Sequence, residues 1–314
     1  MTRDLPPPIR PLLRGIHAAT TLPFTPDGRI DEAGFARQLA HILPQDGITG
    51  LLVNGHAGEN YLTSDAEKAW VVQTAKAAAP AHVAIISGIY AESSAMAAEQ
   101  ARILTEAGAD ALLVFPCFAW ATGAEPDAIL SHHRAIAAAS DLPMMLYIAP
   151  VGAGRLHYDP AVLAALLALP GVAGIKDGSW EVVRSEQVRN EVLALRDDVM
   201  VFGSGDEHLM VNYLTGTEGS QVSLAAVIPA QICALWAASE AGDWERARAL
   251  HGVIQPLARL IYSKAPASRS VARLKACQKM LGLIERADVR SPLCAATDDE
   301  LPELKRALDA ALAL

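Results

Sequence analysis

The chain has 314 residues, of which 52% are hydrophobic and 19% charged, and its formal net charge is −9. Such an apolar fraction excludes intrinsic disorder, and the length suits one large α/β barrel or two ordinary domains. An acidic chain without a Lys/Arg stripe lacks the electrostatic attraction to phosphates on which nucleic-acid binding depends, so no nucleic-acid partner is expected.

Membrane and secretion signals are absent from the sequence pattern. The longest apolar stretch, residues 161–175, is interrupted by Pro170 and Gly171 and is shorter than the roughly 20 residues of a membrane span. The N-terminal sequence MTRDLPPPIRPLLRG carries charges and prolines where a signal peptide has an apolar run. The four cysteines show neither CxxC nor zinc-like spacing, which favours reduced thiols. We therefore expect a cytoplasmic protein without a membrane partner or a metal site.

Short apolar runs alternate with amphipathic segments along most of the chain. At intervals of roughly 30 residues, typical of βα units, the runs begin near Gly15, Gly47, His82, Ala111, Pro143, Val172, Val199 and Gly219. Near-continuous apolar runs are typical of parallel strands that are covered on both faces. Eight such units predict a closed (β/α)8 TIM barrel, an α/β fold, rather than an open doubly wound sheet.

Helix signals lie between and after these runs. Helix starts are predicted at Asp31, at the capping residue Ser64 and at Asp159, which precedes a proline. After about residue 228 the pattern is helical only, over Pro229 to Ala241, Trp244 to Ile261, Val271 to Leu283 and Leu301 to Leu314. We expect a catalytic barrel over residues 1–228, and the last barrel helix with a C-terminal helical appendage over residues 229–314.

Lys176 is the most informative candidate, because active sites of this barrel fold lie at the carboxyl ends of the strands. It ends an apolar run, GVAGIKDGS, so its ammonium group is expected in a mostly apolar barrel mouth. Desolvation lowers the pKa of a buried lysine, and a neutral amine can form a Schiff base with a carbonyl substrate. An isolated lysine at a strand end is, however, more often a residue whose ammonium reaches water.

Tyr147 ends the preceding run, MMLYIAP, and would neighbour Lys176 in a barrel. A phenol beside an imine-forming amine can move protons while water is lost from the carbinolamine. Alone, Tyr147 would be an ordinary core residue. The pair on adjacent strand ends favours a catalytic role for both.

A glycine-flanked loop, Gly55-His56-Ala57-Gly58-Glu59, follows the second run. Two glycines allow a sharp turn whose free N–H groups can hold a small carboxylate. His56 either contributes to the site at this end of the barrel or is a loop residue that faces solvent. Glu59 is expected to anchor the loop.

Together these residues resemble the dihydrodipicolinate synthase / N-acetylneuraminate lyase family of class I, Schiff-base-forming lyases. The resemblance runs from about Gly15 through the helical appendage. Its motifs are PFxxDGxID at 23–31, GxxGE with LTSDAE at 55–67, GADALL at 108–113, LYxxP at 146–150 and GIKD at 174–177. It implies Lys176 as the imine-forming lysine, Tyr147 as the proton-relay tyrosine, and the loop from Gly55 to Gly58 as the carboxylate holder.

Three departures from the family's pattern lie at this site. His56 and Ala57 stand where the family has paired threonines, and Cys117-Phe118 stands where the lysine-pathway synthase has a tyrosine pair. The arginine for the aldehyde substrate's carboxylate would fall at Gly152, whereas Arg155 comes three residues later. The departures argue against the lysine-biosynthesis reaction without affecting Lys176 and Tyr147.

The leading hypothesis is therefore a Schiff-base lyase or aldolase for pyruvate or a related 2-oxo acid, with the lysine imine in place of a cofactor. His56 would hydrogen-bond the carboxylate or act as acid and base near pH 7. We expect Gly55, Ala57, Phe118 and Gln221 to contact the substrate, and Phe118, Trp120 and Trp180 to form an apolar distal pocket. Alternatives are dehydration of a 2-keto-3-deoxy sugar acid on the same imine, and a non-catalytic 2-oxo acid binding protein. The family implies a homo-oligomer, a dimer or tetramer.

Overall fold

A closed barrel of eight parallel strands forms the centre of the molecule, as the sequence predicts. The computed structural model describes residues 13–313, so that residues 1–12 and 314, which include most of the N-terminal sequence considered above and the outer ends of both predicted domains, lie outside the described part. Neighbouring strands pair in chain order and the eighth pairs with the first. The strands are β1 (Gly15–Ala19), β2 (Ile48–Val53), β3 (Ala84–Ile89), β4 (Ala111–Val114), β5 (Met144–Ile148), β6 (Val172–Asp177), β7 (Met200–Gly203) and β8 (Gly219–Val222).

Helices separate consecutive strands and continue beyond the last one. Seven lie within the barrel repeat: α1 (Glu32–Ile42), α2 (Asp65–Ala78), α3 (Ser94–Glu106), α4 (Pro126–Ala139), α5 (Pro160–Leu167), α6 (Val182–Leu195) and α7 (Leu209–Leu214). Four follow β8: α8 (Pro229–Glu240), α9 (Trp244–Tyr262), α10 (Ser270–Met280) and α11 (Leu301–Leu312). Helix α8 packs against β1, whereas α9, α10 and α11 pack on one another. The division into domains at residue 228 stays a prediction.

The predicted helix starts are present as capping contacts. The Asp31 side chain accepts from the Gly34 amide at 2.9 Å, and Asp159 accepts from the Val162 amide at the same distance. Ser64 forms a reciprocal capping box at the start of α2. The predicted end of α10 at Leu283 is wrong, because Gly282 takes a left-handed conformation (φ +73°) that ends the helix at Met280.

Burial on both faces explains the apolar strands. Every residue of β1, β3, β4, β5, β7 and β8 is buried. The barrel closes between β1 and β8 at Gly219, where a Cβ atom would lie 1.9 Å from the Gly15 carbonyl oxygen. This close approach explains why the eighth strand begins with glycine. Within residues 13–313, no helix is both long and apolar enough to cross a membrane.

Helix α10 contacts the turn after β2 through a buried ion pair. Lys275 pairs with Glu59, and both side chains are fully buried. The other Glu59 oxygen accepts from the Arg290 amide at 2.8 Å, and Lys275 also donates to the Asp288 carbonyl at 2.8 Å. Glu59 itself is left-handed (φ 56°), so these contacts fix the end of the glycine-flanked loop, as expected of an anchor.

Removing Lys275 is expected to destabilise the protein strongly. The variant Lys275→Met leaves the Glu59 carboxylate buried without its cation, so the free energy of unfolding should fall by about 3–5 kcal/mol. The matched control is Lys305→Met on α11, since Lys305 pairs with Asp309 at the surface, with about half of each side chain exposed. Its loss should change stability by less than about 0.5 kcal/mol. Urea unfolding measures both, and equal effects would contradict a structural role for the buried pair.

Candidate active site

A cavity of about 310 Å³ opens at the carboxyl ends of the strands. This is the end at which barrels of this fold hold their ligands, and the volume suits a small molecule. The seven residues predicted to act in catalysis or to contact the substrate all line this cavity, namely Gly55, His56, Ala57, Phe118, Tyr147, Lys176 and Gln221. Their roles remain predictions, but the fold brings all of them together.

Lys176 and Tyr147 are directly opposite each other on neighbouring strands. β5 and β6 pair so that Tyr147 is in register with Lys176, and the Lys176 Nζ lies 5.8 Å from the centroid of the tyrosine ring. One inward-facing layer below, Met145 is in register with Gly174. A Cβ atom at Gly174 would lie 2.9 Å from the Met145 Cε, so glycine makes room for methionine beneath the pair.

The surroundings of this pair favour the neutral forms of both groups. Burial lowers the pKa of Lys176 to about 8, although the Asp206 carboxylate opposes that shift. Burial, together with the Asp177 carboxylate, raises the pKa of Tyr147 well above its usual value. About a tenth of the lysine is thus an amine at pH 7, while the tyrosine keeps its proton.

The glycine-flanked loop offers fewer free amides than its sequence suggests. Residues 56–58 form a short 3₁₀ turn, in which the Gly58 amide donates to the Gly55 carbonyl and the Glu59 amide to the His56 carbonyl, both at 3.0 Å. Among the described residues, none accepts a hydrogen bond from the amides of His56 and Ala57. Two adjacent N–H groups therefore remain to hold a carboxylate.

His56 is accessible from the cavity but lies among aromatic rings. Its ring centroid is 4.3 Å from that of Phe115 and 5.4 Å from that of Tyr147. Desolvation, with a smaller contribution from the Lys176 charge, lowers the pKa of His56 to about 3. The imidazole is consequently mostly neutral at pH 7, and because the residue is exposed toward the cavity, its role as an acid and base stays a prediction. A neutral ring can still form one hydrogen bond to a carboxylate.

The cavity mouth is aromatic, though not in the way that the sequence predicts. Phe118 and Trp180 line the mouth with exposed fractions of 60% and 39%. Trp120 does not belong to the distal pocket, because its side chain turns into the protein and packs 5.3 Å from the His132 ring. Trp180 is held in a left-handed conformation (φ 57°) with its ring 6.3 Å from that of Tyr262.

Gln221 contributes a polar group to the cavity wall. Its Nε2 donates to the His17 Nδ1 at 2.9 Å inside the barrel. Burial lowers the pKa of His17 to about 4, which keeps this ring neutral and able to accept the hydrogen bond.

A carboxylate that sequence reasoning left without a role also lines the cavity. Asp206 follows β7 and accepts hydrogen bonds from the Tyr262 hydroxyl at 2.6 Å and the Leu224 amide at 2.8 Å. The strand-end rule points to Asp206. No local pattern points to Tyr262, which reaches the cavity from the end of α9.

The family's arginine, which binds the aldehyde substrate's carboxylate, would fall at Gly152 in this chain. No arginine lines this side of the cavity among the described residues. Arg155 is exposed and lies beside Gly123, where a Cβ atom would come within 2.9 Å of its Nη1. The cavity is lined by Ala153 and Leu156 on this side, but not by Arg155.

Known proteins resemble this chain in sequence and in fold. The chain is 32% identical over 286 residues to 4-hydroxy-tetrahydrodipicolinate synthase 1 of Streptomyces coelicolor, covering 91% of this chain and 90% of that protein. It is also 32% identical over 304 residues to the 4-hydroxy-tetrahydrodipicolinate synthase of Salinibacter ruber, covering 95% of each. The crystal structure of dihydrodipicolinate synthase from Thermotoga maritima matches with a TM-score of 0.87 at 22% identity, over 96% of this chain and all of that one, which supports the fold alone.

A family model decides the relationship. The model of the dihydrodipicolinate synthetase family matches residues 12–311, which is nearly the whole chain and includes every residue that lines the cavity. On this evidence the chain belongs to the dihydrodipicolinate synthetase family.

Proposed function

We propose that this enzyme, a class I lyase of its family, forms an imine between Lys176 and the ketone of pyruvate or a related 2-oxo acid, and uses that imine to make or break a carbon–carbon bond. The lowered pKa of Lys176 in a cavity shared with Tyr147 carries this proposal. The neutral amine attacks the ketone, and the resulting cationic imine withdraws electrons from the neighbouring carbon. No separate cofactor is needed for this chemistry.

The substrate carboxylate is expected at the loop after β2. The free amides of His56 and Ala57 would each donate to it, and the neutral His56 ring would add a third hydrogen bond. Charge-assisted hydrogen bonds of this kind are shorter and stronger than neutral ones. Gln221 and Phe118 would contact the remainder of the substrate from the wall and the mouth of the cavity.

Tyr147 would act as the general acid when the carbinolamine loses water. Its phenol donates a proton to the departing hydroxyl group, the carbon–oxygen bond breaks, and the nitrogen lone pair forms the carbon–nitrogen double bond. Water leaves, and the tyrosinate recovers its proton from the solvent. A protonated phenol at neutral pH, which its raised pKa favours, is suited to this step.

The second substrate is proposed to differ from that of the relatives. Those proteins are named 4-hydroxy-tetrahydrodipicolinate synthases, the lysine-biosynthesis enzyme. Here Arg155 lies outside the cavity lining, and Phe118 and Trp180 form an apolar mouth. An apolar or aromatic-bearing aldehyde suits this mouth better than one carrying a second carboxylate. Product analysis separates this activity from dehydration of a 2-keto-3-deoxy sugar acid. A homo-oligomer and a cytoplasmic location stay predictions.

Trapping with pyruvate and borohydride tests the imine directly. Reduction should add one pyruvate-derived group to the protein by intact mass, and peptide mapping should place it on Lys176. The variant Lys176→Ala should lose the adduct, whereas Lys264→Ala, which changes a partly exposed lysine paired with Glu303, should keep it. Absence of an adduct with every 2-oxo acid in a panel, or an adduct on Lys264 or Lys275, would refute the assignment.

The pH dependence of trapping provides an internal check on that result. Only the neutral amine attacks, so the initial rate with cyanoborohydride should rise about tenfold per pH unit below the Lys176 pKa of about 8 and level off above it. A rate that does not change between pH 6 and 8 would contradict an amine with this pKa.

Turnover with pyruvate and aspartate semialdehyde should be poor. Losing one charge-assisted contact costs roughly 1.5–3 kcal/mol, and the missing relay hydroxyls remove acid–base help that is worth about 10²–10⁴-fold. A coupled assay should therefore give kcat/KM below about 10⁴ M⁻¹s⁻¹. A value at or above that level would contradict the proposed difference in substrate.

A variant that restores the family's arginine provides a second test of the proposed difference in substrate. The variant Gly152→Arg places a guanidinium at the family's position, and a Cβ atom there meets nothing within 4 Å. It should raise kcat/KM for the semialdehyde by about tenfold or more. Gly252→Arg on α9 is the matched control, because its Cβ also meets nothing within 4 Å. An equal response to both variants would mean that the missing guanidinium does not limit the reaction.

A further inference from the structure

A chain of three hydrogen-bonding side chains lies along one wall of the cavity. The Tyr262 hydroxyl donates its single proton to the Asp206 Oδ1 at 2.6 Å, so the Ser223 hydroxyl must donate to the Tyr262 oxygen, at 2.7 Å. All three residues line the cavity together with Lys176. They come from three places in the sequence: the turn after β7, the turn after β8 and the last residue of α9.

The contacts orient the carboxylate and leave one of its oxygens free. Tyr262 and the Leu224 amide both donate to Oδ1 of Asp206. Among residues 13–313, none donates to Oδ2. Asp206 is only 7% exposed, and what it faces is the cavity that holds the Lys176 amine. A carboxylate fixed through one oxygen and unpartnered at the other is suited to accept a proton from a bound molecule.

The charges around Asp206 make it a base of useful strength. Burial raises the pKa of Asp206 to about 6. The Tyr262 and Leu224 donors and the Lys176 charge favour its ionised form, whereas the neighbouring Glu207 carboxylate disfavours it. Tyr213 on α7 also senses its charge but stays a neutral phenol. At pH 7 Asp206 is therefore mostly ionised, and it holds a proton more firmly than an exposed aspartate does.

Tyr147 is poorly suited to accept a proton from carbon. Its raised pKa keeps the phenol protonated, and no described residue accepts a hydrogen bond from its hydroxyl. The threonine pair and the tyrosine pair that supply the two relay hydroxyls in the lysine-pathway synthase are replaced here by His56-Ala57 and Cys117-Phe118. An imine that makes or breaks a carbon–carbon bond passes through an enamine, and forming that enamine from pyruvate requires a base.

We propose that Asp206 is the general base that removes a proton from the carbon next to the imine, with Tyr262 and Ser223 as positioning residues. The inference rests on the proposed function, since it requires the Lys176 imine. The carbon–hydrogen bond breaks and its electron pair forms a carbon–carbon double bond, while the π electron pair of the carbon–nitrogen double bond moves onto the iminium nitrogen and the carbon–nitrogen single bond remains. The proton goes to the Asp206 Oδ2 and returns to carbon in the reverse step.

Hydrogen–deuterium exchange at the pyruvate methyl group measures this step. In D₂O at pH 8, the wild-type protein should replace the methyl protons with deuterium, as followed by proton NMR. The variant Asp206→Asn should exchange at least about 100-fold more slowly, while borohydride trapping on Lys176 still goes to completion. Glu207→Gln is the matched control, because this adjacent carboxylate accepts from Ser263 and does not line the cavity. It should exchange within about threefold of wild type.

A second variant tests the positioning role without removing the base. The Tyr262 hydrogen bond lowers the pKa of Asp206, so Tyr262→Phe raises it. At saturating pyruvate, the exchange rate should rise with pH as the Asp206 carboxylate ionises. In Tyr262→Phe this rise should therefore occur at higher pH. Its plateau at high pH should remain within about tenfold of wild type.

Three results would overturn the assignment of the base. Exchange in Asp206→Asn at the wild-type rate would show that another group takes the proton. Loss of the trapped adduct along with exchange would place Asp206 in imine formation instead. If the exchange rate of Tyr262→Phe rises over the same pH range as that of the wild type, the tyrosine does not act through Asp206. Failure of the wild-type protein to form any adduct is a different outcome, which refutes the proposed function and with it this inference.

Discussion

Burial of the Lys176 ammonium at the mouth of a closed barrel is the constraint on which the site depends. Lowering its pKa from 10.5 to about 8 corresponds to about 3 kcal/mol of disfavoured charge at 1.36 kcal/mol per unit. The same surroundings keep Tyr147 protonated and His56 neutral. The Asp206 carboxylate limits the shift of the lysine, so that both the amine and the ammonium are populated near neutral pH. Desolvation within this cavity thus shifts the protonation equilibria of all three residues toward their neutral forms.

The helices that follow the barrel fix the positions of two groups in the cavity wall. Helix α10 carries Lys275, whose buried pair with Glu59 fixes the loop proposed to bind the substrate carboxylate. Helix α9 ends in Tyr262, which orients Asp206 on the opposite wall. These helices therefore bear on the geometry of the site as well as on stability. Changes at their contacts should affect ligand binding even where no helix residue touches the ligand.

Hydrophobic periodicity was sufficient to predict the barrel and its central pair. Eight apolar runs define eight strands, and consecutive strands in a barrel are neighbours, so the side chains at the ends of β5 and β6 must meet. The two glycines after the second run predicted the carboxylate-binding loop, and the resemblance between motifs implied the same role. These features depend on local sequence and on a general property of the fold, and for that reason the sequence alone predicts them.

Features set by tertiary packing could not be derived in this way. The protonation state of His56 depends on the rings around it, and the number of free loop amides depends on the 3₁₀ turn. Trp120 follows the same strand as Phe118, but it turns inward onto His132. Tyr262 meets Asp206 across 56 residues of sequence, from a helix outside the barrel repeat. No local periodicity specifies such a contact.

A crystal structure of the protein soaked with pyruvate tests the central claim most directly. The account predicts continuous density between the Lys176 Nζ and the ketone carbon, with the carboxylate within hydrogen-bonding distance of the His56 and Ala57 amides. The Asp206 carboxylate should face the methyl carbon. Pyruvate bound without a bond to Lys176, or with its carboxylate away from the loop after β2, would contradict the account.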